Sequence, residues 1–124
     1  NLVNGRFADG AVHLAADNTY TLSSEWNAAL QREVGREGDL ILGFRPESAQ
    51  IAADGPLAGE VYATDLHGSY TMLHVSFNGE LVHIRAERGT YYPIGESVRF
   101  DVDPEMVRFF DPATEAALTR RVRE

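Results

Sequence analysis

At 124 residues with no cysteine, the chain is one domain of ordinary size that must fold without disulfides or a thiolate metal site. Its net charge of −8 at pH 7 argues against a nucleic-acid-binding surface, which needs clustered positive charge. No apolar run approaches the roughly 20 residues that cross a bilayer, and Arg6, Asp9 and Asp17 interrupt any signal-peptide pattern.

Residues 2–22 read as short strands broken by turns. Phe7-Ala8 runs into Asp9-Gly10, a hairpin signal, and Val12-His13-Leu14 follows; Asp17-Asn18 then turns the chain into Tyr20-Thr21-Leu22. Ser23 or Ser24 can cap a helix by accepting the first free backbone N–H groups. Within it Trp26, Leu30 and Val34 recur every fourth residue and share a face, and Gly35 supplies a left-handed stop. Trp26, the only tryptophan, is expected to pin this helix over one end of the molecule.

Leu40-Ile41-Leu42-Gly43-Phe44 reads as a short buried strand, and Pro46 ends it by removing a ladder donor and holding Arg45 extended. Arg45 and Glu47 thus flank a stiff corner. Ala49–Ala53 is an edge-like piece and Asp54-Gly55-Pro56 a turn. Two long strands follow, Leu57–Leu66 and Tyr70–Phe77, separated at Gly68.

Asn78-Gly79 then predicts a two-residue type I′ hairpin. That turn sets a register in which Phe77 faces Glu80, Val75 faces Val82 and Leu73 faces Ile84. Leu73, Val75, Phe77, Val82 and Ile84 then share a core face, whereas His74 and His83 meet on the other. Counted from the turn, the two histidines form a non-hydrogen-bonded pair with side chains about 5 Å apart. A metal site would need a third ligand, and the local sequence offers none, so a surface pair is the simpler reading.

Glu87-Arg88-Gly89 turns the chain again. Val98, Phe100 and Val102 point inward from the next strand, Val107–Phe110 forms the last one, and Asp111 with Pro112 is expected to start a final helix bearing Ala116, Ala117 and Leu118. Its end carries Arg120, Arg121 and Arg123, the one basic cluster of the sequence. Many short strands, Gly and Pro turns and two peripheral helices describe a small all-β barrel.

Several motifs in order give that barrel a resemblance. Asn1-Leu2-Val3-Asn4-Gly5-Arg6, the corner Leu42-Gly43-Phe44-Arg45-Pro46-Glu47, Gly59-Glu60-Val61, Asp65 to Ser69, Pro93 to Asp103-Pro104-Glu105 and Phe109-Phe110-Asp111-Pro112 span nearly the whole chain. Together they resemble the C-terminal accessory domain (TOBE, OB-like) of sugar-importing ABC transporter ATPases of the maltose and glycerol-3-phosphate type. The sequence departs from that pattern at His67, where a leucine is usual, at Tyr70, where a glutamate is usual, and at Ile94, which separates Pro93 from Gly95.

The resemblance implies an OB-like barrel of the molybdate-domain (MOP) type, with residues 1–124 forming one accessory domain excised from a longer ATPase; a chain opening on Asn1 agrees. It also implies a homodimer through this domain, contact with its own nucleotide-binding domain and with the transporter's membrane subunits, and in some members a cytoplasmic regulatory protein. The expected location is the cytoplasmic side of the bacterial inner membrane. Contact candidates are Arg45, Pro46, Glu47, Glu60, Gly68, Phe109 and Phe110, all at turns or bearing aromatic rings.

No catalysis is expected of the chain alone. It has no lysine, hence no GxxxxGK[ST] phosphate loop, and neither a GxSxG elbow nor an HExxH zinc motif. No cofactor is expected in this domain, ATP and magnesium belonging to the nucleotide-binding domain. The alternative is a small-ligand module in which Gly-rich turns and an arginine cradle an oxyanion such as molybdate, or a sugar phosphate.

Overall fold

The computed structural model describes residues 1–15, 18–77 and 79–118. Two antiparallel sheets of five strands each wrap one core into an OB-like barrel. The first sheet contains β1 (Leu2–Ala8), β2 (Ala11–His13), β3 (Thr19–Thr21), β4 (Gly38–Gly43) and β10 (Arg108–Phe110), in the order β10-β4-β1-β2-β3. The second contains β5 (Ala49–Ile51), β6 (Leu57–Leu66), β7 (Tyr70–Phe77), β8 (Glu80–Glu87) and β9 (Ser97–Val102), in the order β5-β9-β6-β7-β8. Strand β8 leans back on β5 and on the short 3-10 turn before it, which nearly closes the barrel.

Turn chemistry sets the pairing. Asp9 and Gly10 both have positive φ (51° and 76°), as a type I′ turn requires, and Ala8 pairs with Ala11 across it. Across the β7–β8 turn Phe77 pairs with Glu80, Val75 with Val82, Leu73 with Ile84 and His74 with His83, the register predicted from the sequence; Asn78 itself lies outside the described residues, as does Asp17. Leu73, Val75, Phe77, Val82 and Ile84 are all buried, as are Val98, Phe100 and Val102 of β9.

The helix α1 (Ser24–Glu33) starts where Ser23 accepts the Trp26 backbone N–H, and the chain leaves it through Gly35 at φ 102°. Trp26, Ala29 and Leu30 are its buried face. The indole N–H of Trp26 donates to the Pro104 carbonyl at 3.0 Å, and its ring meets Phe109 edge-on at 4.8 Å. So Trp26 does anchor the helix to the barrel.

Side chains stitch the two sheets where no ladder joins them. The Tyr20 hydroxyl on β3 donates to the Val102 carbonyl on β9 at 2.8 Å. The buried Asn18 amide accepts the Ala58 N–H at 3.0 Å and donates to the Ala58 carbonyl at 3.4 Å. Asn1 does the same to His83, accepting at 2.8 Å and donating at 2.7 Å. Each amide completes a backbone pair as a neighbouring strand would.

The last stretch departs from expectation. Asp111 accepts the N–H groups of Ala113 and Thr114, as a helix cap does, but no helix follows in residues 111–118. The chain reverses at Glu115 (φ 60°), and Ala117 bridges to Phe110 while the Leu118 N–H donates to the Phe109 carbonyl. The open edge of β10 offers these groups hydrogen bonds that a short, weakly apolar helix would not match. Arg120, Arg121 and Arg123 lie outside the described residues.

Candidate partner-binding surface

The corner after β4 is built as its sequence dictates. Arg45 is extended (φ −83°, ψ 153°), Pro46–Ser48 form one 3-10 turn, and the Ser48 N–H donates to the Arg45 carbonyl at 2.9 Å. This turn sends its two charged side chains apart. Arg45 lines one open cleft with Leu2, Met106 and Phe110, whereas Glu47 lines another with Tyr70, Arg85 and Tyr92.

Tyr70 and Arg85, on the wall of the second cleft of about 570 Å³, belong to a stack that also takes in His67. His67 lies parallel to Tyr70 with ring centroids 4.8 Å apart, and the Arg85 guanidinium sits 4.2 Å from the Tyr70 centroid. Both residues at which the chain departs from the accessory-domain pattern around Gly68 are thus in contact with each other. Their joint departure was the one available signal. Two carboxylates also line this cleft, Glu47 and Glu87, the latter directly paired with Tyr70 across β7 and β8.

The remaining contact candidates scatter. Glu60 is exposed on β6 where pairing to β9 ends at Ser97, just before a register shift between Val61 and Ala63. Gly68 turns the β6–β7 hairpin at φ 74° with open space around it. Phe110 is half-buried. Phe109, in contrast, is fully buried against Trp26 and is a core residue, because on β10 it points inward opposite Leu42.

The histidine pair is where the register puts it, with rings 4.6 Å apart and edge-on. The His83 N–H and carbonyl both turn away from β7 to Asn1, as a non-hydrogen-bonded pair demands. Asp65 on β6, missed in the sequence, holds His74 Nε2 at 2.7 Å. His83 is kept below the ordinary imidazole pKa, chiefly by burial, then by repulsion from His74 and the N-terminal ammonium, with Asp65 opposing. Among the described residues no group of three or more His, Asp or Glu is arranged to hold a metal ion. Burial, with Asp101 and Asp103 nearby, pushes the Tyr20 hydroxyl far up, so it stays a proton donor.

Two five-stranded sheets nearly closed around one apolar core define a small β-barrel domain. Its family follows from sequence: a family model for the TOBE domain matches residues 42–110, more than half of the chain, and the chain belongs to that family. It is 36% identical over 90 residues to the sulfoquinovosyl glycerol transport ATP-binding protein SmoE of Agrobacterium fabrum, covering 70% of this chain and 25% of that protein. It is 31% identical over 117 residues to the sn-glycerol-3-phosphate import ATP-binding protein UgpC of Paraburkholderia xenovorans, covering 92% and 32%. The chain therefore spans a quarter to a third of the length of these relatives.

Among solved structures, the molybdate-bound cytoplasmic protein ModG superposes with a TM-score of 0.69 over 88% of this chain and 94% of that one. At 10% identity that likeness establishes the fold. Among the described residues no helix is long and apolar enough to cross a membrane.

Proposed function

We propose that residues 1–124 are the C-terminal regulatory and dimerisation domain of the ATP-binding subunit of an ABC importer for carbohydrates, a sugar or a sugar phosphate. The observation that carries this reading is the alignment of most of the chain with a quarter to a third of relatives named as transport ATP-binding proteins. The domain itself catalyses nothing and binds no cofactor on this reading, since ATP and magnesium are held by the separate nucleotide-binding domain. A rigid barrel paired with its twin would serve as a fixed hinge while ATP closes the catalytic domains.

The Pro46–Glu47 corner, Glu60 and Gly68 are the proposed contacts to the twin subunit. Arg45 and Phe110 belong to a different surface. The parent subunit would work on the cytoplasmic side of the bacterial inner membrane, against the importer's membrane subunits and, where regulation exists, a cytoplasmic protein.

The test begins with the reading frame upstream of the Asn1 codon. It should encode a GxxxxGK[ST] domain, and the purified parent subunit should sediment as a dimer in the absence of nucleotide. Deleting residues 1–124 should leave monomers that still bind ATP. A frame with no phosphate loop, or a truncated subunit that stays dimeric, refutes the reading.

A further inference from the structure

The cleft on the outer face of the first sheet has a chemistry unlike the rest of this acidic chain. It measures about 510 Å³ and is lined by Leu2, Gly43, Arg45, Met106, Arg108 and Phe110, among others, with no carboxylate among the described residues of its lining. Register explains the apolar floor: Leu2, Gly43 and Arg108 sit side by side across β1, β4 and β10, with Ile41 and Phe110 in the next paired position. A Cβ at Gly43 would lie 2.8 Å from the Phe110 ring and 3.1 Å from the Leu2 side chain, so the glycine lets those two close over it. Leu2 and Met106 nevertheless remain 62% and 45% exposed.

Among the described residues, neither guanidinium at the rim is paired with an acid. Among these residues Arg45 enters no ion pair, and Arg108 donates to the backbone carbonyls of Glu105 and Val107 and to no carboxylate. Two arginines on an apolar cleft of a protein with net charge −8 are a local reversal of sign.

We infer that this cleft docks a segment of a different protein in which a carboxylate stands beside an apolar side chain. The apolar group fills the space between Leu2, Met106 and Phe110, and the carboxylate takes forked hydrogen bonds from Arg45 and Arg108. A two-fold contact between copies of this chain across the cleft would set arginine against arginine, so the occupant is not an identical surface. Anionic lipid and nucleic acid are disfavoured by the overall negative charge. The inference stands on the cleft's own chemistry and does not require the transporter reading.

The probe is a random 12-residue peptide library displayed on phage, selected against the 124-residue chain. Enriched clones should share Asp or Glu within two residues of Leu, Ile, Met or Phe. A synthetic peptide of that consensus should lose roughly tenfold or more in affinity against R45E and against R108E, and less against M106S. All three positions are exposed, and matching thermal melts would show that the variants fold. The titration is repeated on chain acetylated at Asn1, because the N-terminal ammonium, which donates to the Phe44 carbonyl, lies at the same cleft; affinity should persist.

Absence of enrichment, a consensus without carboxylates, equal binding to the charge-reversed variants, or loss on acetylation overturns the inference. So does concentration-dependent self-association that R45E abolishes, which would make a second copy the occupant. None of these outcomes bears on whether the parent frame encodes an ATPase.

Discussion

Gly55 lies against the backbone of Phe100, and a Cβ there would meet that residue's O, C and N at 2.6, 2.7 and 2.8 Å. Because the obstacle is main chain, no rotamer change relieves it. Gly55→Ala should therefore destabilise the domain by about 3 kcal/mol, the upper end for overpacking, as read by urea unfolding. At His83 the effect is one of protons. Its folded pKa is lowered from 6.5, so below that pH the unfolded chain binds more protons and stability falls as pH drops toward the folded value. His83→Gln keeps the Asn1 bonds, which are to backbone, and removes this loss. The stability difference between the two proteins should be flat above about pH 6.5 and shift in the variant's favour below it; a pH-independent difference would refute the assignment. The sequence already placed His83 opposite His74, because Asn-Gly turns fix register. It could not place Asp65, which reaches His74 only across a bulged strand.

Helix α1 and the hairpins were legible because their determinants are local: a serine before an apolar i, i+4 pattern, and paired turn residues between alternating strands. Ser23→Ala removes the acceptor for the Trp26 N–H and should cost about 1 kcal/mol by the same urea assay, with Gly at this position costing less. The segment after β10 was misread for the converse reason. Asp-Pro followed by Ala-Ala-Leu signals a helix start and a tight turn equally well, and the deciding partner, the free edge of β10, is a tertiary feature. A three-residue strand also leaves the facing of Phe109 and Phe110 undetermined. The buried neighbour that decides it, Trp26, lies in the first third of the chain. Likewise Arg45 and Arg108 are far apart in sequence and converge only because β10 returns to the side of β4.

Across the whole molecule, stability depends on joints made by side chains. Asn18 is the clearest case: it satisfies both polar groups of Ala58 while nearly buried itself. Asn18→Ala strands those groups at the seam between sheets and should cost about 2 kcal/mol. Native-state hydrogen exchange should show the Ala58 amide losing protection in the variant, whereas the β7–β8 amides lose only what the global destabilisation imposes. Equal loss at every amide beyond that global amount would mean the seam is not a local joint.

The return of β10 has a consequence for how such a unit travels between proteins. The matched stretch opens on Leu42 and closes on Phe110, and Leu42 is the paired neighbour of Phe109, so its two ends lie on adjacent strands about 5 Å apart. A segment that begins and ends at one point can be spliced into a host loop without prising the host apart, and can be permuted by joining its ends. Such a graft would leave behind β1–β3 and α1, whose Phe7, Val12, Tyr20 and Trp26 sit in the same core, so a host would have to supply a new lining for that half of the barrel.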